Sequence, residues 1–216
     1  MKTLNIIPII LAVIAFLVSL VVNANDKYTE TMQINIKAVY SAKTPAELQS
    51  VVNTFERIGE AEKSKWEPYY YAAYGNLMMV MKEQVPSKKD HYLDLSLKAI
   101  EKGKAINPAE SELIALEGFV HMMRVSVDPA TRGQQFSGMA MQSFGKALAL
   151  NPENPRALAL LAQMQFGTAQ FFGASTAEAC ETNETALAKF DTYKSDNPLA
   201  PQWGKTMAEG FKEKCK

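Results

Sequence analysis

The sequence predicts an all-α solenoid of stacked helical hairpins, about nine helices following an N-terminal export segment. Three observations carry that expectation. Helical periodicity runs through nearly all of the chain after residue 25, with no run of alternating β-branched residues. Helix starts are marked by capping residues followed by Pro. A pattern of small residue, large residue, small residue and Pro also recurs three times at identical offsets.

The chain has 216 residues, enough for one to two domains. Its 23 basic and 23 acidic side chains are interleaved rather than blocked, and its mean hydropathy is −0.14. A nucleic-acid surface would need a basic face or stripe, so that class of partner is excluded.

Residues 1–24 read as a signal peptide. Met1-Lys2 supplies the positive start, Ile6 to Val22 is apolar apart from Ser19, and Val22-Asn23-Ala24 fits the small-residue cleavage rule. Export to the periplasm follows, with no stable membrane insertion once the segment is removed. The alternative is an uncleaved inner-membrane anchor, for which this stretch is near the lower limit of length.

The next element is an N-terminal hairpin over 25–64, with helices near Tyr28–Ala42 and Pro45–Glu62. Thr44-Pro45-Ala46-Glu47 is a capping box with Pro in the first helical position. Three hairpins follow, over 65–108, 109–152 and 153–198. Their second helices carry Ser96, Ile100, Gly103 and Pro108; Ala140, Phe144, Ala147 and Pro152; and Ala186, Phe190, Tyr193 and Pro198. Residues three and four apart share a helix face, so the small positions admit a neighbouring helix and the large one fills the space beside it. Asn154-Pro155 opens the first helix of the last hairpin, and Ser175-Thr176-Ala177-Glu178 repeats the capping-box logic for its second. After each Pro a further helix is expected, from Ser111, from Pro155 and from Leu199. A capping helix near Gln202–Lys214, within 199–216, closes the stack.

These positions resemble the tetratricopeptide repeat, a helix–turn–helix unit of about 34 residues. Leu158, Leu161 and Ala162 fall where that family has Trp, Leu and Gly, and Gly118 and Ala73 take the same small position in the preceding units. Glu117 departs from the family's Leu, and His121 and Gln165 from its Tyr. The turn through Ser126-Val127-Asp128-Pro129 reads as expanded, and Phe171-Phe172-Gly173 as part of another long turn. The segments SAKTPAELQSVVNTFERIGEAEKSKWEPYYYAAYGNLMM, FFG and NPLAPQWGK are similar to exported tetratricopeptide-repeat proteins of Bacteroidetes-type bacteria. That resemblance implies a compartment rather than a mechanism.

The aromatic cluster Trp66, Tyr69, Tyr70, Tyr71 and Tyr74 either packs between hairpins or faces the concave side of the solenoid. In the second case Tyr70 and Tyr74 share a candidate groove with Leu77, Phe119, Met122, Met123, Arg156, Gln163 and Phe166. Such an apolar groove with adaptable Met side chains suits an interaction site, although a short stack can also fill it with its own helices. Some repeat proteins of this family clamp a peptide carboxylate with Lys and Asn. Tyr70 and Tyr74 stand at those positions here, so that clamp is missing.

Cys180 and Cys215 form one structural bridge in an exported chain, or else remain two inert thiols. His91 belongs on the surface near a helix start and His121 at a packing position, and neither has a partner at metal-ligand spacing. Gly133-Gln134-Gln135 reads as a turn, and Asn183-Glu184-Thr185 as a chance sequon. No catalytic set, metal or cofactor is indicated. Gly173 suits a helix exit, with Phe171 and Phe172 tucked under the next helix near Cys180; alternatively the turn presents a contact surface.

The function expected is an exported, non-enzymatic scaffold. It binds a protein or peptide through the concave groove or its long turns. The alternative is a small-molecule-binding accessory of an envelope transport system, using the Tyr-lined groove as a pocket.

Overall fold

A computed structural model describes residues 26–216. The expected signal peptide and its cleavage site lie outside the described residues. Nine α-helices are present among them: α1 (residues 26–41), α2 (Pro45–Ala61), α3 (Glu67–Lys82), α4 (Pro86–Ile106), α5 (Ser111–Val127), α6 (Pro129–Leu150), α7 (Pro155–Phe172), α8 (Ala177–Thr192) and α9 (Lys205–Lys212), followed by a 3-10 turn, Glu213–Cys215. No strand occurs in this region, and none of these helices is long and apolar enough to cross a membrane.

Local sequence explains most boundaries. The Thr44 hydroxyl accepts from the Glu47 amide, and the Glu47 carboxylate accepts from the Thr44 amide in return, which completes the capping box. Asn154 caps α7 by accepting from the amides of Arg156 and Ala157. The box expected at Ser175–Glu178 does not form. Thr176 makes no side-chain cap bond, Ser175 Oγ accepts from the Ala177 amide, and Glu178 is drawn aside to accept from Gln165.

Two expected long turns are instead helix. Asp128 alone separates α5 from α6; it caps α6 through the Thr131 amide with Pro129 in the first turn. The added residues, including Gly133-Gln134-Gln135, lengthen α6 to 22 residues. Likewise α7 continues through Phe172 before Gly173 ends it with φ 65°.

Helices pack against their neighbours in chain order, and α3–α5, α5–α7 and α7–α9 also touch. The first helices of successive hairpins therefore line one side of the stack. The repeated small positions account for the close approach between helices. A Cβ built on Gly118 would lie 2.5 Å from the Phe144 ring, and one on Gly75 2.5 Å from Val52. Phe144, Ala140 and Ala147 are fully buried. Buried hydroxyls tie the two helices of a hairpin together through the backbone: Ser96 donates to Ala73 O and Ser111 to Ala147 O, each at 2.9 Å.

The last hairpin departs from the pattern. No helix starts at Leu199. Residues 193–204 form an irregular strap that runs back along the stack, and α9 begins only after Gly204, whose φ of 109° favours glycine. A side chain at that position would also meet Phe190 at 2.8 Å.

Candidate functional site

The concave side has two unlike halves. In the first, the strap lies over the tyrosines of α3. Tyr71 donates to Leu199 O at 2.7 Å, Trp203 Nε1 donates to the Tyr70 hydroxyl at 2.9 Å, and the Gln202 amide donates to Tyr40 at 3.2 Å. Asn197 donates to Glu67 at 3.2 Å. The Trp203 indole is stacked between Tyr74 and Phe119, with ring centroids 5.3 and 5.8 Å away. Burial holds the Tyr70, Tyr71 and Tyr74 hydroxyls well above the ordinary phenol value, so they act as neutral hydrogen-bonding groups.

Arg156 anchors this half from beneath. Its side chain is 1% exposed and makes a bidentate pair with Glu112, at 2.8 Å from Nε and 2.7 Å from Nη2. The guanidinium lies 4.7 Å from the Tyr193 ring centroid, and Nη1 reaches Trp203 O at 3.5 Å. Desolvation works against the cation, but the charge and hydrogen bonds of the Glu112 carboxylate more than offset it, leaving its pKa above the ordinary arginine value. Tyr70, Tyr74, Leu77, Phe119 and Arg156 are therefore brought together, but under cover rather than on a free groove. Met123 packs against the same core.

The second half, between α5, α7 and α9, is open. A cleft of about 480 Å³ is lined by Met122, Gln163 and Phe166 from the expected groove, with Gly167, Gln170, Phe211 and Lys214. Its volume falls within the range of about 300–1,000 Å³ typical of small-molecule sites. Phe166 and Phe211 meet edge to face at 5.1 Å and form an apolar wall. Gln163 lines the cleft, and its Nε2 is one of five buried side-chain polar atoms without a hydrogen-bond partner among the described residues. The Cys180–Cys215 disulfide joins α8 to the terminal turn beside this wall, with Cα atoms 5.7 Å apart.

Two other hollows are weaker candidates. One of about 520 Å³ at the α1–α2 corner is lined by Lys43 and Glu47, and the Glu47 carboxylate is already committed to the cap. One of about 360 Å³ lies beside the strap and Arg156, whose charge is already matched.

The remaining expected features separate clearly. His121 is buried and stacks on Phe136 at 6.0 Å, while His91 is exposed. Asn183 is buried and donates to Ala208 O, so its sequon is inaccessible. Among the described residues no group of three or more His, Cys, Asp and Glu side chains is placed to hold a metal ion. Phe171 and Phe172 do not tuck under α8; they are 83% and 75% exposed. Packing of Ala179 against Ala162 and Phe166 places the α7–α8 contact before α7 reaches its last turn. The strap and the cleft residues Gly167, Gln170, Phe211 and Lys214 are the parts of the site that sequence reasoning misses. The run Asn197-Pro198-Leu199-Ala200-Pro201 was the available signal, since two prolines so close together oppose a helix.

No protein-family model and no curated protein matches the sequence. Among solved structures it is similar to HusA, a haemophore from Porphyromonas gingivalis, at 28% identity and a TM-score of 0.78, covering 88% of this chain and 92% of that one. TTC0263, a thermophilic TPR protein of Thermus thermophilus, is 14% identical with a TM-score of 0.47, covering 81% and 86% of the two chains. MamA protein is 16% identical with a TM-score of 0.47, covering 84% of each. The described residues form an all-α solenoid of stacked helical hairpins. Within that solenoid, the strap and the open cleft are the features that bear on function.

Proposed function

We propose that this solenoid is an exported, non-enzymatic carrier of a small molecule with an apolar body and an anionic edge, held in the α5–α7–α9 cleft. The observation that carries the reading is a cleft of about 480 Å³ in which the Phe166–Phe211 wall stands together with Lys214, Gln163 and Gln170. Phe166, Phe211 and Met122 supply apolar contact, Lys214 supplies a cation, and Gln163 and Gln170 supply amides. That donor set fits a haem-type ligand: a porphyrin has flat apolar faces and carboxylates at one edge, and the Met122 thioether is a soft donor of the kind iron accepts. Similarity to a haemophore over most of both chains supports the same class. The disulfide is compatible with an oxidising compartment, and the periplasm is the location the signal peptide favours.

A peptide lying along Tyr70, Tyr74 and Phe119 is disfavoured, because Trp203 and Leu199 occupy that surface. The test is titration of the purified protein with iron protoporphyrin IX, followed by absorbance. Saturable one-to-one binding is expected, weakened about tenfold or more by Gln163→Leu with Lys214→Glu, since each removes a polar contact. Absence of saturable binding, or binding indifferent to both substitutions, overturns the assignment.

A further inference from the structure

Phe171 and Phe172 are the two most exposed large apolar side chains among the described residues. They are not on a loose loop. The last turn of α7 is closed by two backbone bonds, from Gly173 N to Gln170 O and from Ala174 N to Ala169 O, with Gly173 left-handed. The pair is thus held on regular helix, with rings edge to face and centroids 5.0 Å apart.

Their place on α7 relates them to the cleft. Gly167 and Gln170 line it, and Phe171 stands four residues after Gly167, one turn further along the same face. A Cβ added to Gly167 would meet nothing within 4 Å, so the floor between Gln163 and Phe171 is bare. The apolar wall of Phe166 and Phe211 therefore continues past an uncovered glycine to the exposed Phe171 ring, which Phe172, roughly 100° further round the helix, meets edge to face. Apolar surface left in water at the rim of a cleft is surface available to whatever the cleft takes up.

Resting on the carrier reading above, we infer that Phe171, braced edge to face by Phe172, forms an aromatic lip that covers the outer part of the cleft's ligand. The ligand class is thereby narrowed to molecules with a flat, extended apolar face that spans from Phe166 across Gly167 to Phe171. Lys214 takes the anionic edge at the other wall.

The test compares wild type with Phe171→Ala/Phe172→Ala and, separately, Gly167→Leu. The probes are iron protoporphyrin IX, metal-free protoporphyrin IX and palmitate, which is anionic and apolar but not flat. Circular dichroism and thermal melting should be unchanged in the double variant, because both side chains are exposed. We expect it to bind both porphyrins about tenfold more weakly, from lost aromatic contact, with little change for palmitate, and Gly167→Leu to block both porphyrins. Equal porphyrin affinity in wild type and double variant overturns the lip while leaving the carrier reading intact. Equal losses for porphyrins and palmitate overturn the selection for flat ligands. Failure of wild type to bind either porphyrin overturns both proposals.

Discussion

The closed and open halves of the concave face are built from similar residue types and end in opposite states. Around α3 the aromatic side chains are covered: Trp203 stacks on Tyr74 and Phe119, and the Tyr70 and Tyr71 hydroxyls each find a partner on the strap. Around the end of α7 the aromatics Phe171 and Phe172 are left in water. The difference teaches that composition does not mark a binding surface; what decides is whether another part of the chain has already taken it.

The comparison breaks most severely at Arg156. Arg156→Ala leaves Glu112 buried without its partner, which should cost about 3–5 kcal/mol. Urea unfolding should show it, and Arg156→Met with Glu112→Leu should recover much of the loss. On the open side, Cys180→Ser/Cys215→Ser releases a loop with a sequence separation of 35, and chain entropy sets the loss at about 3–4 kcal/mol at most. Hydrogen exchange should rise first in α9 and the terminal turn rather than in α3. In the wild type, non-reducing mass spectrometry should find the two cysteines linked and no alkylatable thiol.

Trp203→Ala should cost about 2 kcal/mol, below the range for a fully enclosed Trp because this one is half-buried. Its more telling result is hydrogen exchange along the strap, which should rise while the α7 cleft is unaffected. Gly118→Ala pushes a Cβ into Phe144 and should cost about 1–2 kcal/mol by overpacking.

The smallest effect is a pH slope from His121. Burial chiefly depresses its pKa, so the unfolded chain binds the proton more tightly than the folded one. Stability from this source is full above the ordinary histidine value and is lost as pH falls through the depressed value. His121→Leu should flatten the change in urea midpoint between neutral and mildly acidic buffer.

The hairpins were legible because their signals are local. Thr44 and Asn154 cap the helices that follow them, and Gly118 opposite Phe144 needs only the spacing of the repeat to be foreseen. The strap was not legible, since residues 193–204 take their shape from partners as far as 162 positions away, such as Tyr40 for Gln202. Helical periodicity suggested a helix from Gln202; the structure instead puts Gln202 and Trp203 on irregular backbone that satisfies tyrosines. For the same reason the concave position of Tyr70 could be read from its register, but its cover could not. Phe171 and Phe172 were misread from the rule that aromatics bury themselves. The point where α8 crosses α7 decides their exposure, and small residues such as Ala162 and Ala179 set that crossing.

The strap also alters how the molecule should come apart. In an open repeat array each unit touches only its neighbours, so ends fray and stability builds up unit by unit. Here residues 197–203 reach back to Tyr40, Glu67, Tyr70 and Tyr71, which fastens the last hairpin to the first two. The array becomes a closed circuit. Loss of the N-terminal hairpin should loosen the C-terminal helices, and closure of so long a loop should slow folding relative to an unlatched stack of equal size.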